Sequence, residues 1–386
     1  MSVDLIQTLA PVEAADRRRP VTVYRPGRFS RSVDVDSRNA AEEVAARRGL
    51  ALATAVENGR VLRTPLCDVL GIEVPIICAP FGPWDQVDLA AAVCNAGALG
   101  SLGTALRGVG ELRRQWARLR DLTERPFAIN HTMRPLDPEA FEATVRERPA
   151  AISFHIGDPG DLVQRAHDAG IVWIQQVFDL DQARRAVDRG ADVVIAQGGE
   201  AGGNGGFISA MVIVPAVVDL AGTVPVVASG GIADGRGLAA ALTLGAQGVN
   251  LGTRFLASIE MSISDQWKQA IVRADPLDTV KVDFADAVLP PLSPGGVPAV
   301  PRVLRTAFVD RWNADPAGAG AAADQLRAEV RTAAAEGRLH ELLPFTGQSV
   351  ALIHDIAPAD VLIGRIMTQA EDALRGASGW IAPAGG

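Results

Sequence analysis

The chain has 386 residues, 48% of them hydrophobic and 21% charged, with a formal net charge of −8. It is longer than an ordinary domain of about 100 to 200 residues, but a barrel core of roughly 250 residues plus additions fits it. A mildly acidic chain lacks the basic face that nucleic acid requires, and no apolar run approaches the roughly 18 residues of a membrane span, so neither partner is expected.

The opening stretch, MSVDLIQTLAPVEAADRRRP, has no charged segment ahead of an apolar one, so a cytoplasmic protein is the expectation. Residues 1–63 read as an N-terminal extension. Arg17, Arg18, Arg19, Arg25, Arg28 and Arg31 mark a solvated arm, and the Ala-rich run 39–56 reads as a helix capped by Asn39. Cys67, Cys78 and Cys94 are odd in number and lack metal-ligand spacing; buried, reduced thiols and no metal are expected.

From Pro65 a regular alternation begins. Short apolar runs too brief for helices (74–80, 98–103, 126–132, 150–157, 171–177, 192–198, 225–231 and 248–253) alternate with helical patterns near 86–96, 110–121, 138–148, 160–169, 180–189, 207–220 and 234–245. Nearly continuous apolar strands alternating with helices describe a parallel sheet covered on its faces. Eight such strands in about 190 residues close into a (β/α)8 TIM barrel, here 64–256, with its active site at the C-terminal strand ends. The rhythm then breaks. Residues 257–336 read as a smaller helical lid or second domain, and 337–386 as a C-terminal segment packing back on the barrel.

Polar residues at the strand ends face that mouth. They are Asn130 and His131, His155, Gln176, Gln197 with Glu200, Ser229 and Thr253. The glycines after the seventh and eighth strands, Gly230, Gly231 and Gly252, leave backbone N–H groups uncovered beside a helix start at Asp234, which is a phosphate cradle. Neutral amides, a histidine or two and an anion site suit a phosphorylated cofactor that carries the reactive chemistry itself. A serine hydrolase lacks its G-x-S-x-G elbow, and a Rossmann domain lacks G-x-G-x-x-G after a strand.

The strings PIICAPFG, PFAIN, SFHIGDP, IAQGGEAGGNGG, ASGGIADGRG and NLGTRF together resemble the FMN-dependent nitronate monooxygenase family, which also takes in flavin enoyl-acyl-carrier-protein reductases and some NAD(P)H:quinone reductases. The inosine-monophosphate dehydrogenase group shares ASGGI with LGT but needs a cysteine after strand six, where this chain has none. The resemblance implies FMN across the barrel mouth. Its phosphate would lie on Gly230, Gly231, Gly252, Thr253 and the Gly202–Gly203 loop beside Ser229. Its ring would lie at Ala79, Pro80 and Phe81, with Asn130, Gln176 and Gln197 bonding ring or ribityl atoms.

The same resemblance makes His155 an active-site histidine, positively polarised to hold nitro or nitronate oxygens. It also exposes a departure. The family's EAGGH histidine, the expected base, is Asn204 here, and an amide accepts no proton at neutral pH. The expected activity is therefore oxidation by O2 of an alkyl nitronate or a related anionic substrate. The alternatives are an NAD(P)H-dependent flavin reductase of an enone or quinone, and a flavin-binding pseudoenzyme.

Overall fold

In the computed structural model residues 62–82 and 84–378 are described; the arginine-rich arm and the helix expected at 39–56 lie outside them. After a short helix α1 (Pro65–Leu70), the chain alternates β1 (Ile76–Cys78), α2 (Val87–Asn95), β2 (Gly100–Gly103), α3 (Val109–Leu122), β3 (Phe127–Thr132), α4 (Pro138–Glu147), β4 (Ala151–His155) and α5 (Leu162–Asp168). It continues with β5 (Val172–Val177), α6 (Leu180–Asp188), β6 (Val193–Gln197), α7 (Ala210–Ala221), β7 (Val226–Ser229), α8 (Gly235–Thr243) and β8 (Gly248–Leu251).

The eight strands are parallel, in the order β1-β8-β7-β6-β5-β4-β3-β2, and a parallel bridge between Ile77 and Leu99 closes β1 onto β2. This is the expected barrel. Closure leaves no strand edge unpaired and points alternate side chains inward. Ile77, Leu99, Ala128, Ala151, Ile174 and Val227 fill the interior, while Ile152, Phe154, Trp173 and Val194 pack outward among helices. Each of the larger of these side chains contributes about 1.5–3 kcal/mol by leaving water.

The helices start where carboxylates can cap them. Asp137, Asp179 and Asp234 each accept backbone N–H bonds in the first turn, contributing about 1 kcal/mol apiece. The caps matter to the site because they fix the height at which each preceding loop leaves its strand.

After β8 come α9 (Thr253–Leu256) and α10 (Asp265–Arg273). Next is a two-stranded antiparallel ribbon, β9 (Thr279–Lys281) and β10 (Arg302–Leu304), that the sequence pattern did not suggest. Between the ribbon strands lies α11 (Ala285–Val288); beyond them come α12 (Ala307–Asn313), α13 (Pro316–Ala321), α14 (Ala323–Ala335) and α15 (Ala359–Ser378). Val282, Phe284, Val303, Val309 and Leu326 form an apolar cluster of their own. Leu362, Ile363, Ile366 and Met367 of α15 belong to the outer layer of the barrel core, and Gln369 accepts the N–H of Gly235 at the start of α8.

Candidate active site

The C-terminal strand ends surround a cavity of about 220 Å³. All the residues singled out above as catalytic or cofactor-binding line it. Ala79, Pro80 and Phe81 form one wall after β1, anchored where the Ala79 N–H donates to Leu251 O at 2.9 Å and the Phe81 N–H donates to Gln86. Asn130 donates to Ser153 Oγ at 2.9 Å, which turns its carboxamide across the floor. The Gln176 and Gln197 side chains stand beside it, and Gln197 Oε1 is buried without a partner.

On the β7–β8 side lie Ser229, Gly230, Gly231, Gly252 and Thr253. Gly230 has φ +95°, and a Cβ there would sit 2.9 Å from Gly198 O, so only glycine fits. The loop after β6 crosses close by. A Cβ on Gly202 would lie 2.6 Å from Gly347 N, and the Gly347 N–H itself donates to Thr253 Oγ1 at 2.9 Å. The C-terminal GQS segment therefore packs directly on the glycine-rich loop.

The ribbon clamps that loop from above. Gly203 and Arg302 exchange backbone N–H···O bonds of 3.0 and 2.9 Å, and the Val300 N–H donates to Gly205 O at 3.1 Å. The Arg302 guanidinium donates twice to Gly199 O, at 3.2 and 3.1 Å. Lys281 Nζ donates to Gly206 O at 2.8 Å and Val300 O at 3.1 Å. Burial, with Arg302 adding repulsion, pushes the Lys281 ammonium down to about 8.

Among the histidines the structure separates roles. His131 points outward, with Nδ1 3.2 Å from Thr104 Oγ1 and Nε2 2.9 Å from Thr144 Oγ1, and burial lowers it to about 4. His167 is bound to Asp192 on the helix layer. His155 alone of these lines the cavity. Its Nε2 is buried and unpartnered, its ring stands edge-on to Phe178 at 6.2 Å, and desolvation lowers it to about 4. Desolvation therefore favours the neutral ring, whose N–H can offer a hydrogen bond.

Asn204 also lines the cavity, with Oδ1 buried and unpartnered. Both Glu200 carboxylate oxygens lie 3.0 Å from the Ala210 N–H that opens α7, so this side chain orders the loop as a helix cap. Thr132, Asn250 and Phe345 line the cavity as well and were not singled out in the sequence, and so does Ser349 of the GQS string at 347–349, which shares the family resemblance more weakly. Trp84, whose position just after the first strand already suggests a pocket-lining residue, lines it too, packed edge-on against Trp267 at 5.0 Å. Among the described residues no group of three or more His, Cys, Asp or Glu could hold a metal ion.

The arrangement is a cavity with backbone N–H groups and glycines on one side, neutral donors opposite, and aromatic and aliphatic walls between. It is equipped to bind and orient rather than to supply a strong acid, base or nucleophile.

Known proteins share this architecture. The nitronate monooxygenase family profile matches residues 63–144 and 136–369. The chain is 36% identical over 265 residues to (3aS,4S,5R,7aS)-5-hydroxy-7a-methyl-1-oxo-octahydro-1H-indene-4-carboxyl-CoA dehydrogenase of Mycobacterium tuberculosis, covering 68% of this chain and 72% of that protein. It is 30% identical to a nitronate monooxygenase of Paraburkholderia phytofirmans, covering 80% and 96%. Among solved structures, FabK from Thermotoga maritima superposes with a TM-score of 0.74 at 33% identity, over 83% of this chain and 99% of that one. With the profile spanning both the barrel and the segments packed on its mouth, the chain belongs to the nitronate monooxygenase family and is an oxidoreductase.

Proposed function

We propose that the protein is an FMN-dependent oxidoreductase of the nitronate monooxygenase type, taking an alkyl nitronate or a related anionic substrate with O2. The observation that carries this reading is the glycine cradle at the ends of β7 and β8, sharing one cavity with buried and unpartnered polar atoms of His155, Asn204 and Gln197. The residues fit FMN. The buried, unpartnered amide oxygens of Gln197 and Asn204 suit the N–H groups and hydroxyls of a flavin mononucleotide, and Gly230 at φ +95° brings the end of β7 against the glycine-rich loop.

Bound FMN would supply the acceptor for substrate electrons and the donor to O2. Gly230, Gly231 and Gly252, with the Gly202–Gly203 loop, would hold the phosphate. Ala79, Pro80 and Phe81 would back the ring, with Asn130, Gln176 and Gln197 facing its polar edge. A neutral His155 would orient substrate oxygens. Among the described residues the cavity offers one glycine cradle for an anion, so flavin released by heat is expected to chromatograph as FMN. Release of FAD, or a protein that takes up no flavin, sinks the assignment.

Asn204 narrows the substrate. A neutral nitroalkane must lose its α-proton before it is oxidised, whereas a nitronate arrives deprotonated. The wild-type protein should therefore use freshly prepared nitronate and oxidise the neutral nitroalkane poorly. Asn204→His introduces a group with an ordinary pKa of about 6.5, and should raise activity on the neutral form more than on the nitronate. Efficient wild-type turnover of neutral nitroalkane would show that another residue already removes the proton.

A second reading has its own support. The Mycobacterium tuberculosis relative is by name a dehydrogenase of a carboxyl-CoA, and a neutral donor such as His155 suits a carbonyl oxygen as well as a nitronate. Anaerobic bleaching of the flavin by NADPH or NADH, with none by nitronate, would select an NAD(P)H-dependent reductase of an enone or thioester.

A further inference from the structure

Thr132 ends β3 and is the register partner of His155 at the end of β4. The two side chains line the same cavity, and Thr132 Oγ1 and His155 Nε2 are both buried without any hydrogen-bond partner. A buried hydroxyl left unpaired is costly, and native proteins keep few. Neighbouring polar groups show how easily one could have been satisfied: two residues earlier on each strand, Asn130 and Ser153 bond each other across the same two strands.

The backbone beside the pair is also unusual. Ile156, directly after His155, has φ +63°, a left-handed conformation that β-branched residues rarely adopt. It is held there by burial with Phe178 and Ala299, and Phe178 is the ring that stands edge-on to His155. Strain of this kind, over-determined by packing, keeps the end of β4 and its imidazole aimed into the cavity. The pair also lies across the eight-stranded barrel from β7 and β8, far from the glycine cradle.

We infer that Thr132 and His155 together form an oxyanion-binding subsite for the substrate, separate from the glycine cradle on the opposite side of the mouth. The inference rests on the reading of the cavity as a flavin and substrate site, and it names Thr132 as a binding residue. Each side chain offers one neutral donor, so the subsite fits a delocalised oxygen pair such as that of a nitronate or nitrite. It does not fit a phosphate, for which it supplies neither a cation nor a set of backbone N–H groups.

The test uses the flavin-loaded protein and sodium nitrite as probe, with binding followed by calorimetry. Wild type should bind nitrite. Thr132→Val, which keeps the shape and removes only the hydroxyl, should weaken binding about 10-fold, while Thr132→Ser should stay close to wild type. Thr132→Val should retain its flavin and melt no lower than wild type, because the hydroxyl it loses has no partner in the protein. Equal nitrite affinity in wild type and Thr132→Val, or no nitrite binding by wild type, overturns the subsite. Threonine-dependent nitrite binding in a protein that turns over no nitronate would instead sink the proposed activity and leave the subsite standing.

Discussion

Gly230→Asp is expected to give a folded protein that purifies without flavin. The wild-type residue has φ +95°, and a Cβ at that position meets Gly198 O at 2.9 Å and Ala201 N at 3.2 Å. Any side chain therefore pushes the glycine-rich loop, and a carboxylate adds like charge beside the proposed phosphate position. Holding a side chain at this φ costs about 1–3 kcal/mol, and the contact with Gly198 O adds to it, still less than a domain's stability of roughly 5–15 kcal/mol, so loss of flavin need not mean loss of fold. Gly230→Ala separates the two causes: it carries the steric strain without the charge and should retain part of the flavin. The absorbance ratio of flavin to protein, read beside the far-ultraviolet circular dichroism, measures both. A normal ratio in Gly230→Asp would place the phosphate elsewhere.

His155→Ala is expected to lower kcat/KM on the order of 100-fold, about 2.7 kcal/mol of transition-state stabilisation, with the bound flavin spectrum intact. The pH profile discriminates further. Desolvation lowers His155 to about 4, below the ordinary 6.5 of an unfolded chain, so the folded protein refuses a proton that the unfolded chain accepts. Stability from this residue is complete above about pH 6.5 and is lost as the pH falls from there towards 4. Activity should accordingly show no inflexion near pH 6.5 attributable to His155. An inflexion there that disappears in His155→Ala would show that the ring is charged in the working enzyme, and an unchanged rate in the variant would remove His155 from substrate binding.

The barrel was legible because its strands are buried on both faces and so are written almost wholly in apolar residues, with the few polar ones confined to the mouth. Gln176, Gln197 and Ser229 stand out for that reason. Thr132 was missed although the period was in hand: Asn130 faces inward, so the residue two further along must also face inward, and His131 between them must not. Asn250 hides in GVNLG by the same parity. The charge state of His155 was not legible, because desolvation depends on Phe178 and the strands around it rather than on neighbours in the chain.

The ribbon escaped for another reason. TVK and RVL hold three residues each and are separated by a long loop and the short α11, so neither has a period to detect. Their pairing is decided by where they dock, which composition does not record.

That docking makes the glycine-rich loop a borrower of order. Gly199, Gly203, Gly205 and Gly206 give backbone groups to Arg302, Val300 and Lys281, residues between 75 and 103 positions away in the chain. In amide hydrogen exchange the Gly203 N–H should open together with the β9–β10 ribbon and not with β6, the strand that leads into it. Loss of the ribbon's pairing would thus free the loop while β6 stays paired. Engineering that grafts new segments onto this mouth must carry the ribbon along with the glycines.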